Sequence, residues 1–185
     1  MTDEEIAMLV QKGDGEIFGQ LMDRYTEKLV RYGRRFLREP ENIEDIVQDV
    51  FIKTYQNIRS FDPERKFSSW IYRIAHNAFV NALRDRGTEP LISFDFDALI
   101  SHTLYEDGEQ EKKEDEEMRV LLAKGIENLS AMYREIVTLY YFENLGYEQI
   151  SDILEIPLGT VGIRLSRARA MLKKYFADLR GHENS

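Results

Sequence analysis

The stretch of residues 61–86 combines cations, amides and aromatic rings at spacings that suit the binding of single-stranded nucleic acid. On a helical wheel its apolar side chains gather on one side, and the opposite side carries Arg73, His76, Asn77 and Arg84. In or beside the preceding turn lie Phe61, Arg65, Lys66 and Phe67, and Ser68 is predicted to cap the helix before Trp70. Cations bind phosphates, and an unstacked base needs a flat apolar partner. A solvated helix face over an ordinary core, with Trp70 as packing, explains the same pattern equally well.

A second candidate surface lies on the helix predicted for residues 42–58. Beside its apolar stripe, a mostly polar stripe at positions i, i+3, i+4 and i+7 consists of Asp45, Gln48, Asp49 and Ile52. A helix of a partner protein could dock on such a stripe. Ordinary acids on a solvated face remain the alternative.

The C-terminal part of the chain has the arrangement of a helix-turn-helix. Residues 147–154 predict a short helix, residues 155–157 a turn, and residues 159–179 a basic helix. The candidate DNA contacts of this last helix, on its outward face and flanks, are Thr160, Ile163, Arg164, Ser166, Arg167, Arg169 and Lys173. Arg167 is suited to hydrogen bonding with a guanine edge in the major groove, and the flanking groups are suited to binding phosphates. The alternative is a basic helix that packs elsewhere in the fold.

Helical periodicity also dominates the segments that must position these residues. Thr2 and Glu5 predict a capping box for a first helix, and residues 13–15 break it. We therefore predict an all-α protein with two small helical domains, residues 1–90 and 119–181, the second containing the helix-turn-helix. Residues 91–118 are predicted to be an acidic, flexible linker, which makes relative mobility of the two domains the default expectation.

The net charge of −9 is distributed very unevenly along the 185 residues. Residues 87–118 hold 11 acids against 2 bases, so the rest of the chain is balanced. Residues 158–180 hold 6 bases against 1 acid. A local basic patch matters more to DNA than the global charge, so the acidic total does not exclude DNA binding.

Several classes of protein and site are disfavoured by the composition. The absence of cysteine excludes disulfides and thiolate metal sites, and the three histidines lack metal-ligand spacing, so neither a metal nor a cofactor is expected. A small hydrolase or nuclease is poorly supported, because no Ser-His-Asp arrangement or phosphate-binding glycine loop is present. No small-molecule substrate is therefore expected. No segment is suited to membrane insertion and no signal peptide opens the chain, which favours a cytoplasmic protein.

Three segments together resemble the extracytoplasmic-function sigma factors of bacterial RNA polymerase. They are ENIEDIVQDVFIKTYQNIRSF, KFSSWIYRIAHNAFVNALR and YREIVTLYYFENLGYEQISDILEIPLGTVGIRLSRARAML, in that order. The last segment alone also resembles response-regulator helix-turn-helix domains, so the first two decide the resemblance. It implies a promoter-specificity subunit without catalysis of its own, serving a stress or cell-envelope type regulon.

The resemblance also implies roles for individual residues. Asp45, Gln48 and Asp49, with Ile52 beside them, match the helix that docks on the clamp helices of core RNA polymerase. Residues that match the surface for the minus-ten promoter element are Phe61 and Asn77 at the pocket for a flipped base, Trp70 and Arg73 in support, and Arg65, Lys66, His76 and Arg84 around them. The candidate contacts on the last helix match the surface for the minus-thirty-five element. Relatives are typically held inactive by an anti-sigma factor.

Three positions depart from the family pattern. Gly162 stands where a basic residue is usual, Ile163 where a small polar residue is common, and Tyr140 where an arginine is frequent. The promoter sequence is therefore left open. The competing interpretation is a polymerase-independent helix-turn-helix regulator, which would bind a symmetric duplex site without polymerase.

Overall fold

The computed structural model describes residues 1–37, 39–85 and 121–183, and within these ranges the regular structure is entirely helical. The first part of the chain forms α1 (Asp3–Gln11), α2 (Phe18–Gly33), α3 (Pro40–Asn57), a short 3₁₀ turn (Ile58–Ser60) and α4 (Phe67–Asp85). The second part forms α5 (residues 121–127), α6 (Ala131–Val137), a π-helical turn (Thr138–Phe142), α7 (Tyr147–Leu154) and α8 (Leu158–Glu183). The predicted all-α class is confirmed. The predicted acidic linker, residues 91–118, lies outside the described residues.

Helix α1 begins with the predicted capping box. The Thr2 hydroxyl accepts a hydrogen bond from the Glu5 amide at 3.2 Å, and the Glu5 carboxylate accepts one from the Thr2 amide at 2.8 Å. Gly13, with a φ of 108°, ends the turn after this helix in a conformation that favours glycine. Helix α1 also reaches α4, because a Glu4 carboxylate oxygen accepts from the Phe67 amide at 3.2 Å. The prediction of Ser68 as the cap of α4 is therefore wrong: α4 begins one residue earlier, and Glu4 accepts from its first amide.

Helix α4 is seated closely against α2 and α3. A Cβ atom on Gly33 would lie 2.4 Å from Cζ of Phe79 and 2.7 Å from Cγ2 of Ile43, so only glycine allows this approach. The Phe36 and Phe79 rings stack at a centroid distance of 5.4 Å. This packing sets the rotation of α4 and hence the side chains that it leaves on the surface.

The helix-turn-helix is closed by local hydrogen bonds. Glu155, at the C-cap of α7, takes the left-handed conformation with a φ of 52°. The Ser151 hydroxyl donates to the carbonyl of Ile156 at 2.6 Å across the turn. Val161 and Leu165 on the inner face of α8 are fully buried.

The two sets of helices pack against each other through α4 and α7. Apolar residues of the second part, including Ile136, Leu139, Ile150 and Ile153, belong to the same buried cluster as the core of the first part. The sequence predicted mobility between the domains by default, whereas the structure joins them. None of the described helices is long and apolar enough to cross a membrane.

Candidate nucleic-acid interface

The predicted partner-docking stripe on α3 is fully accessible. Asp45, Gln48, Asp49 and Ile52 are all exposed, and the Ile52 side chain is 53% exposed although it is apolar. The opposite face of α3, with Ile43, Val47 and Val50, is buried. The structure therefore brings the four residues together on one open surface, as predicted.

Trp70 separates two adjoining cavities on the surface of α4. One has a volume of about 310 Å³ and is lined by the predicted cations Arg65, Lys66 and Arg73. The other has a volume of about 340 Å³ and is lined by the amides of Asn57, Asn77 and Asn81. Trp70 lines both cavities. A cationic cavity and an amide-lined cavity thus share one aromatic wall.

The cationic cavity is already partly neutralised by carboxylates. The Arg65 guanidinium lies 3.6 Å from a carboxylate oxygen of Asp152 on α7 and 3.9 Å from one of Asp62. Lys66 lies 3.9 Å from a carboxylate oxygen of Glu4. The Arg65 and Lys66 side chains are 65% and 72% exposed, so their ion pairs are weak and readily exchanged. Arg84 is exposed near the C-terminal end of α4, away from the cavity.

The amide-lined cavity contains two residues that the sequence analysis missed. Asn81 follows Asn77 by one helical turn, so helical spacing alone could have identified it. Asn57 comes from the end of α3, and only the tertiary fold brings it there. Side-chain amides offer both a donor and an acceptor to the edge of a base, and the Trp70 ring offers a stacking face.

Phe61 is buried, yet it lines the cationic cavity beside Trp70. It is 4% exposed, and its ring lies 5.4 Å from that of Phe67 and 5.3 Å from that of Trp70. The Gln11 side chain on α1 fixes this loop by donating to the carbonyls of Ile58 and Phe61, each at 2.8 Å. Phe61 therefore packs against the Trp70 ring and helps to hold it in position. Nothing in the sequence pattern indicated Gln11.

His76 does not lie on the surface predicted for it. Its Nδ1 is 3.1 Å from the Tyr32 hydroxyl and 3.2 Å from a carboxylate oxygen of Glu135 on α6, so the ring faces the second domain. Burial lowers the pKa of His76 to about 4. Burial likewise raises the pKa of Glu135 to about 7, against a smaller lowering by Arg164. Near neutral pH His76 is therefore uncharged and unsuited to binding a phosphate.

Helix α8 exposes the face predicted to contact duplex DNA. Ile163, Ser166, Arg167, Arg169 and Lys173 are exposed, and Thr160 and Arg164 are half-buried at its edges. Arg169 donates to the Tyr141 hydroxyl at 2.7 Å and lies over the rings of Tyr140 and Tyr141, at 5.7 and 5.6 Å. Tyr140, the departure noted in the sequence, thus helps to orient a cation. This face can insert into a major groove with its cations on the flanks.

Comparisons with known proteins identify the family of the chain. A family model described as Sigma-70 region 2 matches residues 21–89, and one described as Sigma-70, region 4 matches residues 119–172. The chain is 34% identical over 176 residues to the ECF RNA polymerase sigma factor SigW of Bacillus subtilis, covering 92% of this chain and 94% of that protein.

Two solved structures share the fold. CnrH in complex with the cytosolic domain of CnrY has a TM-score of 0.66 and 23% identity, over 95% of this chain and 97% of that one. The sigma factor RpoE in complex with the anti-sigma factor NepR, from Bartonella quintana, has a TM-score of 0.60 and 22% identity, over 86% and 96% of the two chains. The family matches and the near full-length relative lead to one conclusion: the chain belongs to the extracytoplasmic-function sigma factors of bacterial RNA polymerase.

Proposed function

We propose that this chain directs core RNA polymerase to promoters by contacting the minus-ten element through α4 and the minus-thirty-five element through α8. The observation that carries the proposal is the shared wall at Trp70, where a cationic cavity adjoins an amide-lined one. Strand separation leaves a backbone and an unstacked base side by side, which is the ligand that such a pair of cavities fits. No catalytic step is assigned to the chain, and it would act in the cytoplasm with polymerase.

The α3 stripe of Asp45, Gln48, Asp49 and Ile52 is the proposed docking site for core polymerase. It combines two carboxylates and an amide with an exposed isoleucine, so a partner helix would gain both charge-assisted contacts and apolar burial. None of the four residues lines either of the two cavities beside Trp70, so polymerase and DNA need not compete for the same side chains.

Region boundaries at residues 1–90, 91–118 and 119–181 are part of the proposal, as is an anti-sigma factor as a partner. The latter rests on the similar fold of the sigma factor RpoE, which was solved with the anti-sigma factor NepR. The competing role, a regulator that needs no polymerase, leaves the exposed α3 stripe and the α4 cavities without a purpose.

Transcription by purified core polymerase tests the docking site. Asp45→Lys with Asp49→Lys should abolish core binding and specific initiation, while the exposed control Glu16→Lys on the same domain should change neither. Circular dichroism establishes that both variants are folded. Unchanged core binding in the double variant would refute the docking assignment.

A comparison of two templates tests the amide-lined cavity. Asn77→Ala should slow promoter opening on duplex DNA and have a smaller effect on a template whose minus-ten region is already unpaired. Gln20→Ala, an exposed amide on α2, is the matched control. Equal losses on both templates would show that Asn77 takes no part in opening or base capture.

A further inference from the structure

The first domain contains a carboxylate-binding site that is occupied by the second domain. The Glu143 carboxylate is 1% exposed and reaches across from the end of the π-helical turn. Its Oε1 lies 3.1 Å from the Arg35 guanidinium, and its Oε2 lies 3.2 Å from that of Arg31. Tyr72 on α4 donates a short hydrogen bond to the same Oε2. Two guanidinium groups and a phenol of one domain thus bind one carboxylate of the other.

The backbone around Glu143 is shaped for this contact. The amide of Glu143 bonds to the carbonyl of Thr138, five residues earlier, at 3.2 Å, which is the wide π-helical spacing. The next residue, Asn144, has a φ of 54°, in the left-handed region. Together these two features end the helix abruptly and direct Glu143 toward the first domain. Phe142 lies over the Arg35 guanidinium at 5.6 Å and covers the site.

We propose that Glu143 is an intramolecular ligand that locks the protein in a closed state unsuited to promoter binding. In the closed state Arg35 is 2% exposed, so replacing Glu143 would remove the carboxylate from a buried cation, and removing one partner of a buried ion pair is strongly unfavourable. The charge of Glu143 therefore favours the closed state over a closed state that lacks it. A stripe on α4 at successive helical turns makes the contact: Ser68 binds Gln149, Tyr72 binds Glu143, and His76 binds Glu135.

The closed state obstructs the cavity on α4 and prevents simultaneous contact with both promoter elements, and this consequence rests on the proposed function. Asp152 of α7 lines the cationic cavity, at the place where a DNA phosphate would bind. In addition, elements about 25 base pairs apart are separated by about 85 Å along a duplex. A compact chain of this length has a radius of gyration of only about 16 Å. One closed molecule therefore cannot contact both elements at once.

The lock can be tested without DNA by measuring the distance between the domains. The chain contains no cysteine, so Gln20→Cys on α2 and Lys174→Cys on α8 place two unique spin labels on exposed sites. Glu143→Gln keeps the shape of the side chain and removes its charge. We expect one short, narrow distance in the labelled parent, and a broad, longer population in Glu143→Gln, with the open fraction raised on the order of a hundredfold.

Matched variants separate loss of the lock from loss of the fold. Glu148→Gln removes an exposed carboxylate from α7 and should leave the distance unchanged. If Glu143→Gln loses helical signal, Arg31→Gln removes the contact from the first domain and should open the protein in the same way. Tyr72→Phe and Glu143→Gln should be non-additive when combined. A short, narrow distance in Glu143→Gln and in Arg31→Gln would overturn the proposal.

The consequence for DNA has its own measurement. A fluorescent pool of randomised single-stranded 12-mers should bind Glu143→Gln at least tenfold more tightly than the parent or Glu148→Gln. Opening without a gain in affinity would overturn the claim that closure obstructs DNA, although the lock itself would stand. Failure of specific initiation with core polymerase would refute the proposed function, and the distance measurement would be unaffected by it.

Discussion

The buried pair of His76 and Glu135 should make the stability of two single variants depend on pH in opposite directions. Burial lowers the pKa of His76 from 6.5 to about 4 and raises that of Glu135 from 4.5 to about 7. Between about pH 4.5 and 6.5 the unfolded chain therefore carries a proton on His76, and the folded chain carries one on Glu135. The folded and unfolded chains thus bind the same number of protons at this pair, so the pair makes the free energy of unfolding nearly independent of pH in this range.

Removing either residue exposes the titration of the other. In Glu135→Gln the depressed pKa of His76 remains. The free energy of unfolding is therefore highest above pH 6.5 and decreases as the pH falls toward 4. In His76→Gln the raised pKa of Glu135 remains. The contribution of Glu135 to the free energy of unfolding is therefore largest below pH 4.5 and decreases as the pH rises toward 7. Burial is the main cause of both pKa shifts, so we expect each shift to persist when a glutamine of similar size replaces the partner. The remaining groups that face the pair are the Tyr32 hydroxyl on α2 and the Arg164 guanidinium on α8.

The expected magnitudes follow from the two pKa values. Between pH 8 and pH 5, Glu135→Gln should lose about 2 kcal/mol of unfolding free energy, and His76→Gln should gain about 2.5 kcal/mol. The contribution of the intact pair should change by only about 0.5 kcal/mol over the same range. Urea unfolding at several pH values measures this, and subtracting the parent curve removes the titration of all other groups. Difference curves of the same sign, or flat for both variants, would refute the reasoning.

Three further substitutions test close packing, phosphate contact and charge at the cavity. Gly33→Ala places a Cβ atom 2.4 Å from Phe79 and should lower the free energy of unfolding in urea by about 1–3 kcal/mol. The control Gly19→Ala, in the same helix, meets nothing within 4 Å and should not destabilise the protein. Equal effects of the two substitutions would contradict the packing argument. Gly162→Arg on α8, where a Cβ atom meets only ordinary contact at 3.5 Å, should steepen the salt dependence of duplex binding by about 0.9 per new phosphate contact; an unchanged slope would place this position off the DNA. Asp152→Asn should tighten binding of the single-stranded pool without changing the distance between the domains, and no change in affinity would remove Asp152 from the obstruction of the cavity.

Faces of single helices were predictable from the sequence because helical geometry alone determines them. The α3 stripe and the inner and outer faces of α8 follow from a period of 3.6 residues, and the structure places these residues as expected. The capping box at Thr2 is equally local. Each of these features needs information from one segment only.

Apart from Asn81, the features that were missed depend on contacts between distant segments. His76 shares a helical face with Asn77 closely enough to be grouped with it, yet the position of Glu135 on α6 decides which way His76 points. Phe61 was placed correctly in the loop, but the bonds from Gln11 that bury it come from 50 residues earlier. Glu143 resembled any acid at a helix end, because its partners Arg31 and Tyr72 lie 112 and 71 positions away. Such pairings cannot be read from spacing within a helix.

The different accessibility of the three proposed surfaces suggests an order of events. The α3 stripe is exposed in the closed state, whereas Asp152 obstructs the cavity on α4. Polymerase can therefore dock on α3 before the domains separate, and DNA can bind fully only afterwards. The energy needed to withdraw Glu143 from Arg31 and Arg35 would then be offset by the DNA contacts that α4 and α8 make after separation. In an acidic protein, such an order keeps the free subunit from occupying DNA to which it cannot bring polymerase. Weakening the lock should accordingly increase DNA binding in the absence of polymerase, with little effect on the docking of α3.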